Sequence, residues 1–117
     1  IITLVNLEIR SQGYEYDVGA AMENMIIVAW AEGVGSCWLL SIDREKIAAL
    51  FEIPDNYRID CVLALGYPAE KPIVEIYQGS VRYWLDEAGQ LHVPKRPLES
   101  ILHFNQFTPR PRSAQQL

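Results

Sequence analysis

The stretch from Asp17 to Ser41, DVGAAMENMIIVAWAEGVGSCWLLS, constrains this chain more than any other. Asp17 reads as a helix N-cap, because its carboxylate can accept from the free N–H groups of a first turn. From Val18 to Ala31 nearly every residue is apolar or small, with Glu23 and Asn24 as the polar exceptions. Met22, Met25, Ile26 and Ala29 recur at three- and four-residue spacing, which marks one helical face. Ile27, Val28, Trp30 and Ala31 make the other side apolar too. A helix that is apolar all round is expected to be covered on more than one side. Gly33 and Gly35 then stop it. A helix of this length spans about 27 Å, the width of a small domain. It is therefore predicted to be central, with Ser36 to Ser41 leaving from the middle of the molecule.

The 117 residues suffice for one small domain with its own core. Half of them are hydrophobic and 21% are charged, a globular composition. The net charge of −5 argues against nucleic acid as a main partner, because phosphate binding wants a basic surface. No run reaches the roughly 20 uninterrupted apolar residues of a membrane span. Cys37 and Cys61 form no CxxC pair, so both are expected as reduced core thiols in a cytoplasmic protein. Ile1 to Val5 offers no basic leader and reads as the middle of a strand. The chain is accordingly read as the C-terminal portion of a longer domain.

In chain order, Ile1 to Ile9 is strand-like and Ser11 to Gly13 is a turn. Beyond the central helix, Asp43 is expected to cap a second helix through Phe51. Ile47, Leu50 and Phe51 would be buried, and Arg44, Glu45 and Lys46 would face water. Cys61 to Leu65 is a continuous apolar run and reads as a central strand covered on both faces. Ile73 to Tyr77 and Val81 to Leu85 alternate like short strands around Gly79-Ser80, and Leu91 to Val93 could pair back. Pro97 suits the first position of a short helix, Leu98 to Leu102. Residues 1–107 form one domain. Residues 108–117, with two prolines and two arginines, are expected as a flexible or partner-wrapping tail. The order of elements gives an α+β or mixed α/β layer.

Self-contained acid–base machinery is not visible. His92 and His103 stand eleven residues apart, and neither has a cysteine or carboxylate at metal-ligand spacing. Gly33-Val34-Gly35 follows a helix and lacks the third glycine of a dinucleotide fingerprint. If the chain is an enzyme, a cofactor carries the reaction. Two stretches could meet one. The glycines before Ser36 to Ser41 allow close backbone approach, although a helix C-cap followed by an edge strand is the simpler account taken alone. Lys95-Arg96 precede an expected helix start, where N–H groups and dipole favour an anion, although a solvated basic pair is again simpler. Trp30 and Trp38 read as core.

Taken together, these pieces resemble the nitroreductase family of FMN-dependent oxidoreductases. The resemblance rests on the run Asp17 to Met25, on Gly33-Val34-Gly35-Ser36-Cys37-Trp38, on the strand ending in Gly66-Tyr67-Pro68, and on Lys95-Arg96 ahead of Pro97-Leu98-Glu99-Ser100-Ile101. It implies an α+β fold whose central sheet is flanked by long buried helices, here without its N-terminal part. It implies a homodimer with FMN at the interface and NADH or NADPH as electron donor. Nitroaromatics, quinones or related small molecules would be the acceptors. Leu39, Leu40 and Ser41 would face the flavin N5 and O4 edge through their backbone, and Lys95 and Arg96 would hold the phosphate. Leu40-Ser41 stands where many members have a glycine. The alternative is a non-catalytic dimeric scaffold or ligand-binding domain that has lost a complete flavin site.

Overall fold

The structure is a computed structural model that describes residues 1–107. The expectation for the tail, 108–117, lies outside the described residues. Two compact units divide the chain after Pro68, and each is described by itself. Both are mixed helix and strand or strand alone, so the α+β class holds. The single central sheet becomes two three-stranded sheets.

In the first unit, β1 (Ile2–Asn6), β3 (Tyr57–Gly66) and β2 (Gly35–Leu39) form an antiparallel sheet with β3 in the middle. α1 (Glu15–Ala31) and α2 (Arg44–Phe51) complete it. The register between β1 and β3 shifts at Thr3, whose hydroxyl donates to the Cys61 carbonyl at 2.7 Å. The core gathers Val5, Tyr14, Val18, Met22, Cys61 and Leu63, and the last three side chains expose nothing to solvent. β3 alternates buried Ile59, Cys61 and Leu63 with partly covered Asp60 and Val62. It is thus the central strand of its sheet, with one face covered by α1, not both. Strict alternation is what an antiparallel strand with one packed face produces. The apolar run concealed it because Val62 and Ala64 on the second face are also apolar.

The long helix is present but not buried all round. Val18 and Met22 alone are buried, while Val28 is 62% and Trp30 73% exposed. Its start is also earlier than expected. Tyr14 holds the cap position without a side-chain bond, and Asp17 sits in the first turn, 2.9 Å from Arg10 in an exposed ion pair. α2 begins as predicted, with Asp43 Oδ1 accepting from the Lys46 N–H at 3.0 Å. Leu50 and Phe51 nevertheless remain exposed. Cys61 is a core thiol, whereas Cys37 lies exposed on β2. Trp38 is also exposed, so neither tryptophan of this unit is core.

In the second unit, β6 (Leu91–Lys95) runs between β4 (Ile73–Ile76), parallel to it, and β5 (Trp84–Leu85), antiparallel. β4 and β5 do not pair with each other across Gly79-Ser80; Leu91–Lys95 pairs back on β5, as expected, and takes β4 on its other side. The expected last helix is a single 3-10 turn, Leu98–Ser100. Pro94 is the sole buried residue among those described in this unit. No helix of the described residues is long and apolar enough to cross a membrane.

Candidate functional site

The exit of α1 is closed by a Schellman motif. Gly33 takes φ +75°, its N–H donates to Trp30 O at 3.0 Å, and the Val34 N–H donates to Ala29 O at 2.8 Å. A side chain at Gly33 would be strained by the left-handed backbone. Gly35 then pairs with Gly66, and a Cβ there would meet the Gly66 carbonyl at 3.3 Å and Pro68 at 3.4 Å. Both glycines are thus explained by the fold: one is a cap, the other a close strand contact. β2 is an edge strand, as the simpler account of this stretch expected.

The ladder of β2 with β3 ends at Leu39, opposite Val62. Leu40 and Ser41 follow as exposed chain. The Leu40 carbonyl accepts from Ile42 N–H at 3.2 Å. Neither Leu40 nor Ser41 donates its backbone N–H to another described residue. The segment is held by Arg44, which is exposed, as the sequence pattern expected, and still bonds to the protein. Its guanidinium donates to the carbonyls of Ile59 at 3.0 Å, Asp60 at 2.7 Å and Leu40 at 3.3 Å. One planar fork thereby ties the start of α2, the β2 exit and β3 together. Nothing in a one-dimensional helix pattern marks an arginine that turns back over a neighbouring strand.

Lys95 ends β6 and Arg96 follows it, both exposed. The Lys95 carbonyl accepts from the Tyr77 N–H at 3.2 Å. Neither cation has an ion-pair partner among the described residues. The helix they were expected to precede is one short turn, so its dipole adds little, and what an anion would meet here is the two side-chain charges. The five residues form two contiguous sets, Leu39 to Ser41 in the first unit and Lys95-Arg96 in the second.

The structure brings together one cluster that the spacing concealed. His92 Nδ1 lies 2.7 Å from Glu75 Oε1, and His92 Nε2 lies 3.4 Å from Asp86 Oδ2. Its ring stacks on Trp84 at 5.1 Å and 8°. Parallel pairing of β4 with β6 supplies Glu75, and antiparallel pairing of β5 with β6 sets Trp84 directly opposite His92. Asp86 is fixed by the turn it makes, its Oδ1 accepting from Ala88 and Gln90 N–H groups. Both ring nitrogens can donate at once only in the imidazolium. The Glu75 bond, aided by Asp86 and opposed by partial burial, accordingly raises the His92 pKa. The Gln90 N–H, with His92 and Ala88 against partial desolvation, lowers that of Asp86. With both nitrogens engaged, His92 has no free position for a substrate proton. The cluster is a clamp, and not a general base.

Comparison with known proteins gives a family and several relatives. The model of the Nitroreductase family matches residues 6–67. Protein DrgA of Synechocystis is 36% identical over 53 residues, covering 45% of this chain and 25% of that protein. A putative NADH dehydrogenase/NAD(P)H nitroreductase of Archaeoglobus fulgidus is 34% identical over 71 residues, covering 57% and 40%. An NADH dehydrogenase of Thermus thermophilus is 36% identical over 47 residues, covering 40% and 23%. The matches thus span between about a quarter and two fifths of these relatives. The family match takes in α1, its glycine exit, the Leu39–Ser41 segment and β3, and by it this chain belongs to the nitroreductase family.

Proposed function

We propose that this chain is part of an FMN-dependent NAD(P)H oxidoreductase. The observation that carries the reading is the β2 exit, which lies inside the family match and leaves the Leu40 and Ser41 N–H groups without partners among the described residues. Backbone donors of this kind fit the polar edge of a flavin ring, and they tolerate the Leu40-Ser41 side chains because recognition runs through the main chain. When bound, FMN would accept hydride at N5 from NADH or NADPH and pass electrons to a nitroaromatic, quinone or related acceptor. This chain's part is to bind and orient. Leu39 ends the ladder, Leu40 and Ser41 donate, and Arg44 keeps the segment from collapsing. Lys95 and Arg96, exposed and without ion pairs among the described residues, fit the phosphate.

The reading includes a cytoplasmic homodimer. Ile27, Val28 and Trp30 leave an apolar stripe of α1 uncovered, of the kind a second protomer covers. One observation favours the non-catalytic alternative: Gly33 and Gly35 are fully explained by capping and strand pairing, and neither needs a flavin.

An absorption spectrum of the protein purified from its own gene, before and after NADH and NADPH, separates the two. Flavin bands that bleach on reduction support the flavoenzyme and name the donor. Colourless protein that takes up no added FMN overturns it. If FMN binds, Lys95→Ala with Arg96→Ala should weaken it by about 2–3 kcal/mol, read by flavin fluorescence.

A further inference from the structure

The second unit holds a cavity of about 760 Å³ lined by residues of β4, β5, β6 and the chain between β4 and β5. Ile76 and Pro94 contribute apolar surface, Tyr83 and Trp84 aromatic surface, and Glu75 and Arg82 charge. The two charges are not equivalent. Glu75 is already engaged, 2.7 Å from His92 Nδ1. A protonated His92, shared with Asp86, offsets part of its charge, and the paired carboxylates favour that form. Arg82 has no ion-pair partner among the described residues, so its guanidinium is left for an incoming anion.

Trp84 is prepared for a ring. The 8° stack on His92 fixes its plane, yet the residue remains 45% exposed, so the stack leaves aromatic surface for another group. An aromatic held in place loses little freedom when a second ring packs on it. A guanidinium is a planar fork that matches a carboxylate with two parallel N–H bonds. A single such cation next to an acid suits a monoanion better than a phosphate dianion.

We propose that this cavity binds a planar aromatic carboxylate, its ring against Tyr83 and Trp84 and its carboxylate on Arg82. The site lies outside residues 6–67, and the proposal does not rest on the flavin reading.

The test is a titration of the intact protein with 2-naphthoate in the presence of excess FMN. It is read from the indole N–H signal of Trp84 in 1H–15N spectra. The uncharged 2-naphthalenemethanol is titrated in parallel, and both titrations are repeated on Arg82→Gln. The expected result is a saturable Trp84 shift, with naphthoate binding about tenfold more tightly than the alcohol. Arg82→Gln should remove that preference and leave the alcohol's affinity unchanged. Absence of saturation, equal affinity of acid and alcohol, or loss of binding in excess FMN each overturns the proposal. The acid–alcohol comparison on the unaltered protein decides even if the variant fails to fold.

Discussion

The two units of this chain are held together by different physics. The first packs α1 onto β3 through Met22, Cys61 and Leu63, all without solvent exposure. The second buries Pro94 alone among its described residues and ties its strands through an imidazole between two carboxylates and a stacked tryptophan. Apolar packing is nearly indifferent to pH and sensitive to volume. A polar clamp is the reverse. The family match, residues 6–67, falls in the first unit.

Removing volume from the first core should produce the largest effect. Leu63→Ala leaves a cavity beneath α1 and should destabilise the first unit by about 2–5 kcal/mol in a denaturant titration. A loss below 1 kcal/mol would mean that α1 collapses onto β3 and that the core is looser than its burial implies.

Arg44→Met keeps the length of the side chain and removes its donors to Leu40, Ile59 and Asp60. The partly exposed setting limits the loss to about 1–2 kcal/mol. The sharper readout is local: the Ile42 amide, which bonds the Leu40 carbonyl, should exchange faster while those of β3 stay protected. Uniformly faster exchange would show that Arg44 supports the whole unit instead of the β2 exit.

Asp43→Ala removes the cap on Lys46 and should cost about 1 kcal/mol, with α2 fraying at its first turn. Asp43→Asn should recover most of it. A loss equal in both variants would point to charge, not to the hydrogen bond.

The smallest effect is also the most specific to the second unit. His92 gains affinity for its proton on folding, so its contribution is fully present below the unfolded value of about 6.5. It is lost as pH rises through the higher folded value. Asp86 works in the opposite sense, contributing above the ordinary aspartate value and losing that as pH falls through its lowered folded one. The second unit should therefore melt highest at mildly acidic pH, and His92→Gln should abolish the decline on the alkaline side. A pH profile identical in His92→Gln and the unaltered chain would remove the clamp from the account. Because both carboxylates remain exposed to solvent, the shift in melting temperature should be small.

Much of the first unit was legible in the sequence. Asp43 read correctly as a cap, because a short acidic side chain ahead of a helical pattern has few other uses. The glycines after α1 read correctly as its end, because a left-handed residue is what closes a Schellman turn. The simpler reading of Gly33 to Ser41, a helix C-cap followed by an edge strand, matches β2. Arg44 and the His92 cluster were not legible. Arg44 reaches across to Ile59 and Asp60, and His92 meets Glu75 through a parallel pairing that joins residues 17 apart. Periodicity reports which face of an element is apolar. It does not report which other element arrives there.

The sequence by itself determined the local structure of this protein: the long apolar helix, its glycine stop, the Asp43 cap, the strand character of Cys61 to Leu65, and the family these residues resemble. Those follow from backbone sterics, side-chain spacing and capping chemistry, all of which act within a few residues. Tertiary structure alone decided that one face of α1 and one face of β3 are packed while the others are not. It also decided that β4 joins the second sheet by parallel pairing with β6, and that His92 sits between Glu75 and Asp86. The physical reason is range: burial, strand order and charge pairing depend on residues far apart in the chain, which only the folded molecule brings to contact distance.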